Sequence, residues 1–309
     1  MAHVTLRQLQ VFEQVAEALS FARVAERLHL TPSAVSFQIR QIEEQTGLAL
    51  FERIGRKVAL TEAGTVLLQY ARPALQSTRD LDDAMQALKG GEVGRVRLGL
   101  VSTAKYIVPH MIARFRREKP GVTVFLREGN RSFMKALLAA GDVDLAVTGQ
   151  PAEDADVNAE RFAPHPSVII ARPGHPLSGG PVIAPERIVE EWFILREQGS
   201  GTRGLSDRFF ADCGAKPRVA METSSNEMIK QAVMAGMGLA LLSQHTIRLE
   251  RSLGLLDVLP VAGFPVMRSW FVVKRRTSPL LPGQASLRKF LVEHGQSIIT
   301  ELEEMPRSG

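Results

Sequence analysis

The feature that most constrains this chain is a pair of short helix patterns joined by a tight turn near its start. Ser20 suits the N-cap of a helix over Phe21–Leu28. Thr31 suits the next N-cap, and a proline at the first helical position costs no hydrogen bond. The second helix is predicted from Pro32 to about Gln45, before Gly47. Two helices joined in this way form a helix-turn-helix, whose second helix places its N-terminal residues in the DNA major groove.

The second helix and the segment after it carry side chains suited to DNA. Residues 50–61 are predicted as two short strands around a turn, a wing whose cations can contact phosphates. Ser and Gln hydrogen-bond base edges, and a Phe can contact a thymine methyl. The spacing alone also permits a helical hairpin with a solvated polar face. The candidate DNA-binding residues are Thr31, Pro32, Ser33, Ser36, Phe37, Gln38, Arg40, Arg53, Arg56 and Lys57.

Net charge does not locate this function. The chain carries a formal charge of +5, but residues 1–91 contain ten Lys/Arg and ten Asp/Glu and are therefore neutral. The DNA-binding prediction depends on the motif and not on the basic pI.

A long helix is predicted over residues 62–89, ended by Gly90 and Gly91. Its apolar positions step by four and three residues, the spacing of a coiled coil, which predicts that two copies pair. Pro73 is expected to bend it. The predicted seam is Leu67, Ala71, Ala74, Thr78, Leu81, Met85 and Leu88.

From residue 95 onward, strand and helix patterns alternate, which predicts an α/β fold with mostly parallel sheets. The predicted strands are 96–101, 122–127, 144–148, 167–171, 193–195, 219–223 and 270–274. The predicted helices are 105–118, 132–140, 202–213, 226–237 and 285–303.

Several polar residues follow strands or open helices of this part, where ligands bind in such sheets and where helix N-termini attract anions. Ordinary N-caps and solvated arginines would use the same residue types. The candidate ligand-binding residues are Ser102, Thr103, Lys105, Asn130, Arg131, Thr148, Gln150, Arg196, Gly201, Thr202 and Arg203.

The run from Gly199 to Gly204 also fits the dinucleotide-binding glycine pattern, with Glu222 near the ribose-binding position. A nucleotide-dependent enzyme therefore stays open, although a glycine-rich anion loop of a sensor explains the same residues. No nucleophile elbow, Walker loop or histidine metal spacing is present, and Cys213 is the only cysteine. We therefore predict no catalytic residue, no metal and no resident cofactor.

The N-terminus has no apolar signal-peptide core, and the longest apolar run, Ala232–Leu242, is too short to span a membrane. We expect a cytoplasmic protein without membrane contact. A solute-binding protein, which the α/β part would permit, is disfavoured by the N-terminal motif.

Residues 6–64 closely resemble the LysR-type transcriptional regulators, and the likeness extends over the whole chain. Phe37 departs from the pattern, since many members carry a basic or polar residue there, which affects the base contacts. The resemblance is carried by Leu6-Arg7-Gln8-Leu9, Phe12, Ser20-Phe21, Ala25-Glu26, Leu30 to Ser36, Gln38-Ile39, Leu48, Leu50 to Arg53 and Leu60 to Gly64.

The resemblance implies a winged helix-turn-helix over residues 1–61, a dimerisation helix over 62–91 and an effector domain over 92–309. That domain would resemble periplasmic binding proteins, with subdomain I at 92–163 and 268–309 and subdomain II at 164–267. The implied partners are double-stranded promoter DNA, a small-molecule effector in the cleft and RNA polymerase. The implied assembly is a homodimer that forms a homotetramer.

Residues Val101 to Pro109 resemble the subgroup that controls Calvin-cycle (RuBisCO) operons of carbon dioxide fixation. A phosphorylated metabolite would then be the co-inducer, and nearby cations suit a phosphate. The alternative is a LysR-type regulator of another pathway with an organic-acid effector.

Overall fold

The computed structural model describes residues 4–55, 57–88, 94–151 and 156–304. The chain divides into two compact units, residues 1–85 with 140–142, and residues 86–139 with 143–309. In these described segments, no helix combines the length and apolar character that crossing a membrane requires. They likewise contain no cluster of His, Cys, Asp and Glu suited to hold a metal ion.

The helices are α1 Leu6–Ala18, α2 Phe21–Leu28, α3 Pro32–Thr46, α4 Glu62–Leu88, α5 Val108–Glu118, α6 Arg131–Ala140, α7 Pro185–Ile188, α8 Gly201–Asp212, α9 Asn226–Met234, α10 Arg248–Ser252 and α11 Pro282–Glu304. The strands are β1 Phe51–Ile54, β2 Lys57–Leu60, β3 Gly94–Val101, β4 Val122–Gly129, β5 Leu145–Thr148, β6 Val157–Ala171, β7 Trp192–Arg196, β8 Arg218–Thr223, β9 Ala240–Ser243, β10 Asp257–Val258 and β11 Val266–Arg275.

The first unit is a three-helix domain with a β-hairpin wing. Ser20 and Thr31 accept hydrogen bonds from backbone N–H groups in the first turns of α2 and α3, which confirms both predicted N-caps. Gly47 ends α3 with a left-handed φ of 69°. The core between the helices contains Phe12, whose ring centroid lies 5.5 Å from that of Phe51 at the start of the wing.

Helix α4 continues through Pro73 as one element of 27 residues. The predicted seam is divided, because Leu67 and Ala71 pack against the core of the first unit. Leu88 lies in α4, but its side chain is outside the described residues. The large apolar side chains that α4 leaves exposed are Val66, Tyr70, Leu81 and Met85.

The second unit is built on a seven-stranded sheet of order β10-β6-β11-β5-β3-β4, with β9 also paired to β6, and a two-stranded sheet of β7 and β8. Strands β4 and β5 pair with β3 in parallel, as does β8 with β7. The four other described pairings in this unit are antiparallel. The prediction of mostly parallel sheets is therefore wrong for the seven-stranded sheet, whereas the two-stranded sheet is parallel.

The antiparallel pairs come from β6 and β11, two long neighbouring strands that pair from Val157 with Arg275 to Ser167 with Val266. The sequence pattern predicted only residues 167–171 of β6, because Pro164 and Pro166 are unusual inside a strand. Helix 105–118 likewise begins later than predicted, at Val108, after a single 3₁₀ turn.

These two strands serve both halves of an α/β domain with two subdomains. Phe162 and Trp270 belong to the core that β3, α5 and α11 share. Farther along β6, Val168 and Ile170 belong to the core around β7 and α9. The chain thus passes between the subdomains on adjacent strands, while the residue limits of the domains and subdomains stay predictions.

Candidate nucleic-acid interface and ligand cavity

The N-terminal turn of α3 presents the predicted DNA contacts to solvent. Thr31 Oγ1 accepts from the Ala34 backbone N–H at 3.2 Å and lies 2.9 Å from Ser33 Oγ. Phe37 is 52% exposed, although large aromatic side chains usually pack inside. Val35 and Ile39 on the opposite face fill the core. The helix therefore buries one face and leaves the other available for a groove.

The remaining candidates surround this turn. Pro32 is exposed, and Ser36 and Gln38 are half-buried. Arg40, Arg53 and Lys57 are exposed, and within the described segments none of the three forms an ion pair. Cations without carboxylate partners are suited to phosphate contact. Arg56 lies outside the described residues.

The second unit contains a cavity at the C-terminal ends of β3, β4, β5 and β7, facing the start of α8. The open space within it, adjoining solvent included, is about 390 Å³. Nine of the eleven candidate ligand-binding residues line it, namely Ser102, Thr103, Asn130, Arg131, Thr148, Gln150, Arg196, Gly201 and Thr202.

The charged side chains of the cavity wall are all cations. Three arginines line it, Arg131, Arg196 and Arg268, and the described lining residues contain no Asp or Glu. Hydroxyl groups come from the nearly buried Thr103 and Thr202, and the α8 N-terminus adds backbone N–H groups. This donor set fits an anion with several oxygens.

Arg196 is 2% exposed and is largely occupied by protein partners. Its guanidinium donates to the Glu197 carboxylate at 2.8 Å, to Asn226 Oδ1 at 2.7 Å and to Ser102 Oγ at 2.9 Å. Asn226 also donates to the Ser102 carbonyl at 3.2 Å. Arg196 therefore links the two subdomains and positions Ser102 in the cavity wall. Little of its charge is left for a ligand.

Two cavity residues on the crossing strands were not predicted from the sequence, Arg268 of β11 and His165 of β6. They are register partners on adjacent strands. Arg268 donates to Ser167 Oγ at 3.0 Å. Burial, with a further contribution from the charge of Arg131, lowers the pKa of Arg268 to about 10.

His165 is 1% exposed, and neither ring nitrogen has a hydrogen-bond partner in the structure. Its ring stacks on Trp270 with centroids 3.7 Å apart. Burial, followed by the nearby Arg268 and His245, holds the pKa of His165 well below its usual range, so the imidazole is neutral. No motif or spacing in the sequence marks either residue, since both lie inside strands.

Two candidates do not line the cavity. Lys105 Nζ lies 3.3 Å from Glu128 Oε1. Arg203 pairs with Asp207 at 2.8 Å and with Glu222 at 2.5 Å. Glu128 lies on β4, Glu222 on β8 and Asp207 one turn along α8 from Arg203. These ion pairs hold both cations outside the cavity lining.

The glycine-rich segment before α8 is a capping loop. Gly199 has a left-handed φ of 82°, and Ser200 Oγ accepts from the Thr202 N–H at 3.2 Å. Glu222, the acidic residue of the dinucleotide pattern, is paired with Arg203. The loop therefore explains the glycine pattern without a nucleotide.

Two family models match the chain. The helix-turn-helix model of bacterial regulatory proteins of the lysR family matches residues 6–65, and the LysR substrate-binding domain matches residues 89–296. The chain belongs to the LysR family of transcriptional regulators. It is a DNA-binding regulator and not an enzyme, so the nucleotide-dependent enzyme alternative is wrong.

Among curated LysR-family relatives, a "RuBisCO operon transcriptional regulator" of Allochromatium vinosum is 43% identical over 290 residues, 94% of this chain and 96% of the relative. The regulator CfxR of Cupriavidus necator is 44% identical over 291 residues, 94% and 92% of the two chains. The chain is thus similar to a regulator of a RuBisCO operon and to CfxR over nearly its full length.

Among the solved structures that resemble this LysR-family chain are a regulatory domain with a bound ligand and a full-length regulator on DNA. The regulatory domain of CcmR from Synechocystis PCC6803 in complex with 2-PG aligns with a TM-score of 0.61 at 34% identity, covering 69% of this chain and all of that domain. Full-length CbnR complexed with its target DNA aligns with a TM-score of 0.69 at 21% identity, covering 93% and 98%. The CbnR likeness shows the shared fold.

Proposed function

We propose that this LysR-family regulator controls carbon-fixation genes and binds a small phosphorylated metabolite in the cavity of its second unit. The observation that carries the proposal is the wall of three arginines, hydroxyls and a helix N-terminus without a lining carboxylate among the described residues. Phosphate oxygens accept from each of these donor types, and charge-assisted hydrogen bonds are the strong ones.

The relatives support the same effector class. Regulators named for the RuBisCO operon are more than 40% identical to this chain. The regulatory domain of CcmR, 34% identical, was solved with 2-PG, that is 2-phosphoglycolate. We therefore select 2-phosphoglycolate as the first probe of the cavity.

On the DNA side, we propose that α3 and the wing bind promoter DNA through the ten residues predicted from the sequence. Paired α4 helices would form a dimer, and two dimers a homotetramer that acts with RNA polymerase. Ligand binding would shift the two subdomains and change the angle at which the dimers bend DNA. The exposed apolar face of α4 supports the pairing.

The second candidate is a LysR-family regulator with a non-phosphorylated organic-acid effector. The cavity favours it less, because a single carboxylate would leave part of the donor set without a partner.

Isothermal titration of the full chain with 2-phosphoglycolate, glycolate, inorganic phosphate and benzoate tests the proposal. We expect heat with 2-phosphoglycolate, and a much weaker response with glycolate, which lacks the phosphate. Binding of benzoate or glycolate without binding of either phosphate compound would replace the proposal by the organic-acid alternative.

A further inference from the structure

Among the described residues of the cavity wall, His165 and Arg268 have buried polar atoms without a hydrogen-bond partner, both ring nitrogens of His165 and Nε of Arg268. A neutral imidazole carries one N–H donor and one acceptor nitrogen. Both nitrogens are buried, and neither has a hydrogen-bond partner among the residues that the structure describes. Buried polar groups of native proteins nearly always have partners, so each exception calls for a ligand or a water.

The surroundings of His165 leave the cavity as the direction from which a partner can come. One ring face is covered by Trp270, 3.7 Å away. His245, 6.1 Å away, has its own partners, because its Nε2 lies 3.3 Å from the Pro164 carbonyl and its Nδ1 3.3 Å from a Glu303 carboxylate oxygen.

Gly149 packs directly against the imidazole on the side of Nδ1, where a larger residue would not fit. A Cβ built at this position would lie 2.6 Å from His165 Nδ1, closer than real contacts allow. Arg268, the register partner of His165, adds a cation to the same wall. An oxyanion at this point would meet a cation and an unused N–H together.

We propose that His165 donates a hydrogen bond to an oxygen of the bound anion, and that this contact helps the cavity to select phosphorylated ligands. The inference rests on the proposed function and adds a specificity-determining residue to it. An ordered water that satisfies His165 in every state is the competing explanation.

The test compares three full-length variants with the wild type, with 2-phosphoglycolate and inorganic phosphate as probes. His165→Phe keeps the ring stacked on Trp270 and removes both nitrogens. His165→Gln keeps a donor and an acceptor. His245→Phe makes the same aromatic replacement outside the described cavity lining and serves as the matched control.

We expect His165→Phe to weaken both affinities about tenfold or more, the typical effect of losing a hydrogen bond to a charged group. His165→Gln should recover part of the loss, and His245→Phe should bind as the wild type does. His165→Phe should melt no lower than the wild type, because it removes two unsatisfied buried groups. A purely structural histidine would give the opposite change in melting temperature.

The imidazole ¹⁵N signals of His165 are measured on the wild type, so this readout does not require any variant to fold. They should shift when either probe saturates the wild type. Static signals together with an unchanged affinity of His165→Phe would overturn the inference and leave the proposed function intact. If the wild type binds neither probe, the inference and the proposed function both fail.

Discussion

At the scale of single residues, the three arginines of the cavity differ in how much of their charge is left for a ligand. Arg196 is held by Glu197, Asn226 and Ser102. Arg268 is half-buried and donates to Ser167 Oγ at 3.0 Å and to the Gly201 carbonyl at 3.4 Å. Arg131, half-buried at the start of α6, has no hydrogen-bond partner in the part of the chain that the structure describes. Arg131 is therefore the most available cation.

Replacing Arg131 with alanine should weaken 2-phosphoglycolate binding by about tenfold, since a charge-assisted contact contributes about 1.5–3 kcal/mol. The melting temperature should barely change, because no hydrogen bond or ion pair to the described residues is lost. Titration calorimetry and thermal melts measure the two effects. Arg127→Ala, an exposed arginine of β4 outside the described cavity lining, is the matched control. Equal losses in both variants would show that general electrostatics alone attracts the ligand.

His165 also predicts how stability responds to pH. Burial keeps the pKa of His165 well below its usual value in the folded chain. Below about pH 6.5 the unfolded chain therefore binds a proton that the folded chain does not. As the pH is lowered through this range, the free energy of unfolding decreases. His165→Phe lacks this contribution, so its melting temperature relative to the wild type should rise between pH 7 and pH 5. A constant difference across that range would mean that His165 titrates normally.

Phe37 gives a prediction on the DNA side. Its exposed ring fills no core, so Phe37→Ala should change the free energy of unfolding by less than about 0.5 kcal/mol. If the ring contacts a thymine methyl, the variant should lose about 1 kcal/mol of discrimination at one position. Duplexes with uracil in place of thymine should weaken the wild type and leave Phe37→Ala unchanged. Equal sensitivity of both proteins to uracil would place Phe37 away from the base edges.

At the scale of elements, two faces of α4 have different roles, core packing and exposure of apolar side chains, whereas the sequence pattern assigned one pairing seam to the helix. Its inner face, with Leu67 and Ala71, completes the core of the first unit. The outer apolar face, with Val66, Tyr70, Leu81 and Met85, stays exposed. Exposed apolar side chains that share one face of a helix are typical of a surface that pairs with another helix.

Leu81→Asp, in the exposed face of α4, should therefore weaken self-association of the chain. Leu81 is 60% exposed, so the folded protomer should keep its stability. Sedimentation velocity over a range of concentrations should show a shift toward smaller species. Gln69→Glu, exposed on the same helix but outside the apolar face, should sediment as the wild type does. An unchanged distribution for Leu81→Asp would assign association to another surface.

Elements defined by local chemistry could be predicted from the sequence. Caps at Ser20, Thr31 and Gly47 depend on a few consecutive residues, and the structure has all three. Nine cavity residues also followed from a local rule, because loops after parallel strands converge at one edge of a sheet.

The features that could not be predicted from the sequence depend on contacts between residues that are far apart in the chain. His165 and Arg268 meet because β6 and β11 pair across more than a hundred residues, which no local pattern encodes. Because of the prolines at 164 and 166, residues 157–166 of β6 were not predicted as a strand. The sequence prediction assigned Lys105 and Arg203 to the site, although both are paired with carboxylates. Those carboxylates, Glu128 on β4 and Glu222 on β8, are distant in sequence, so no local pattern indicates the pairing.

At the scale of the second unit as a whole, the cavity wall is also part of the contact between the subdomains. Ser102 lines the cavity, accepts from Arg196 and, through its carbonyl, from Asn226 at the start of α9. Nearby, the Tyr106 hydroxyl donates to Glu227 at 2.5 Å. An anion bound at Ser102 therefore acts on the residues that hold the two subdomains together. This connection gives a ligand a physical route to change the arrangement of the domain.

The central claim is that a phosphorylated metabolite changes how this LysR-family regulator binds promoter DNA. DNase footprinting of the full chain on its own promoter, with and without 2-phosphoglycolate and over a range of salt concentrations, tests it most directly. We predict a specific footprint that weakens steeply with salt and changes its extent or its pattern of enhanced cleavage when the ligand is added. An identical footprint at saturating ligand would contradict the claim.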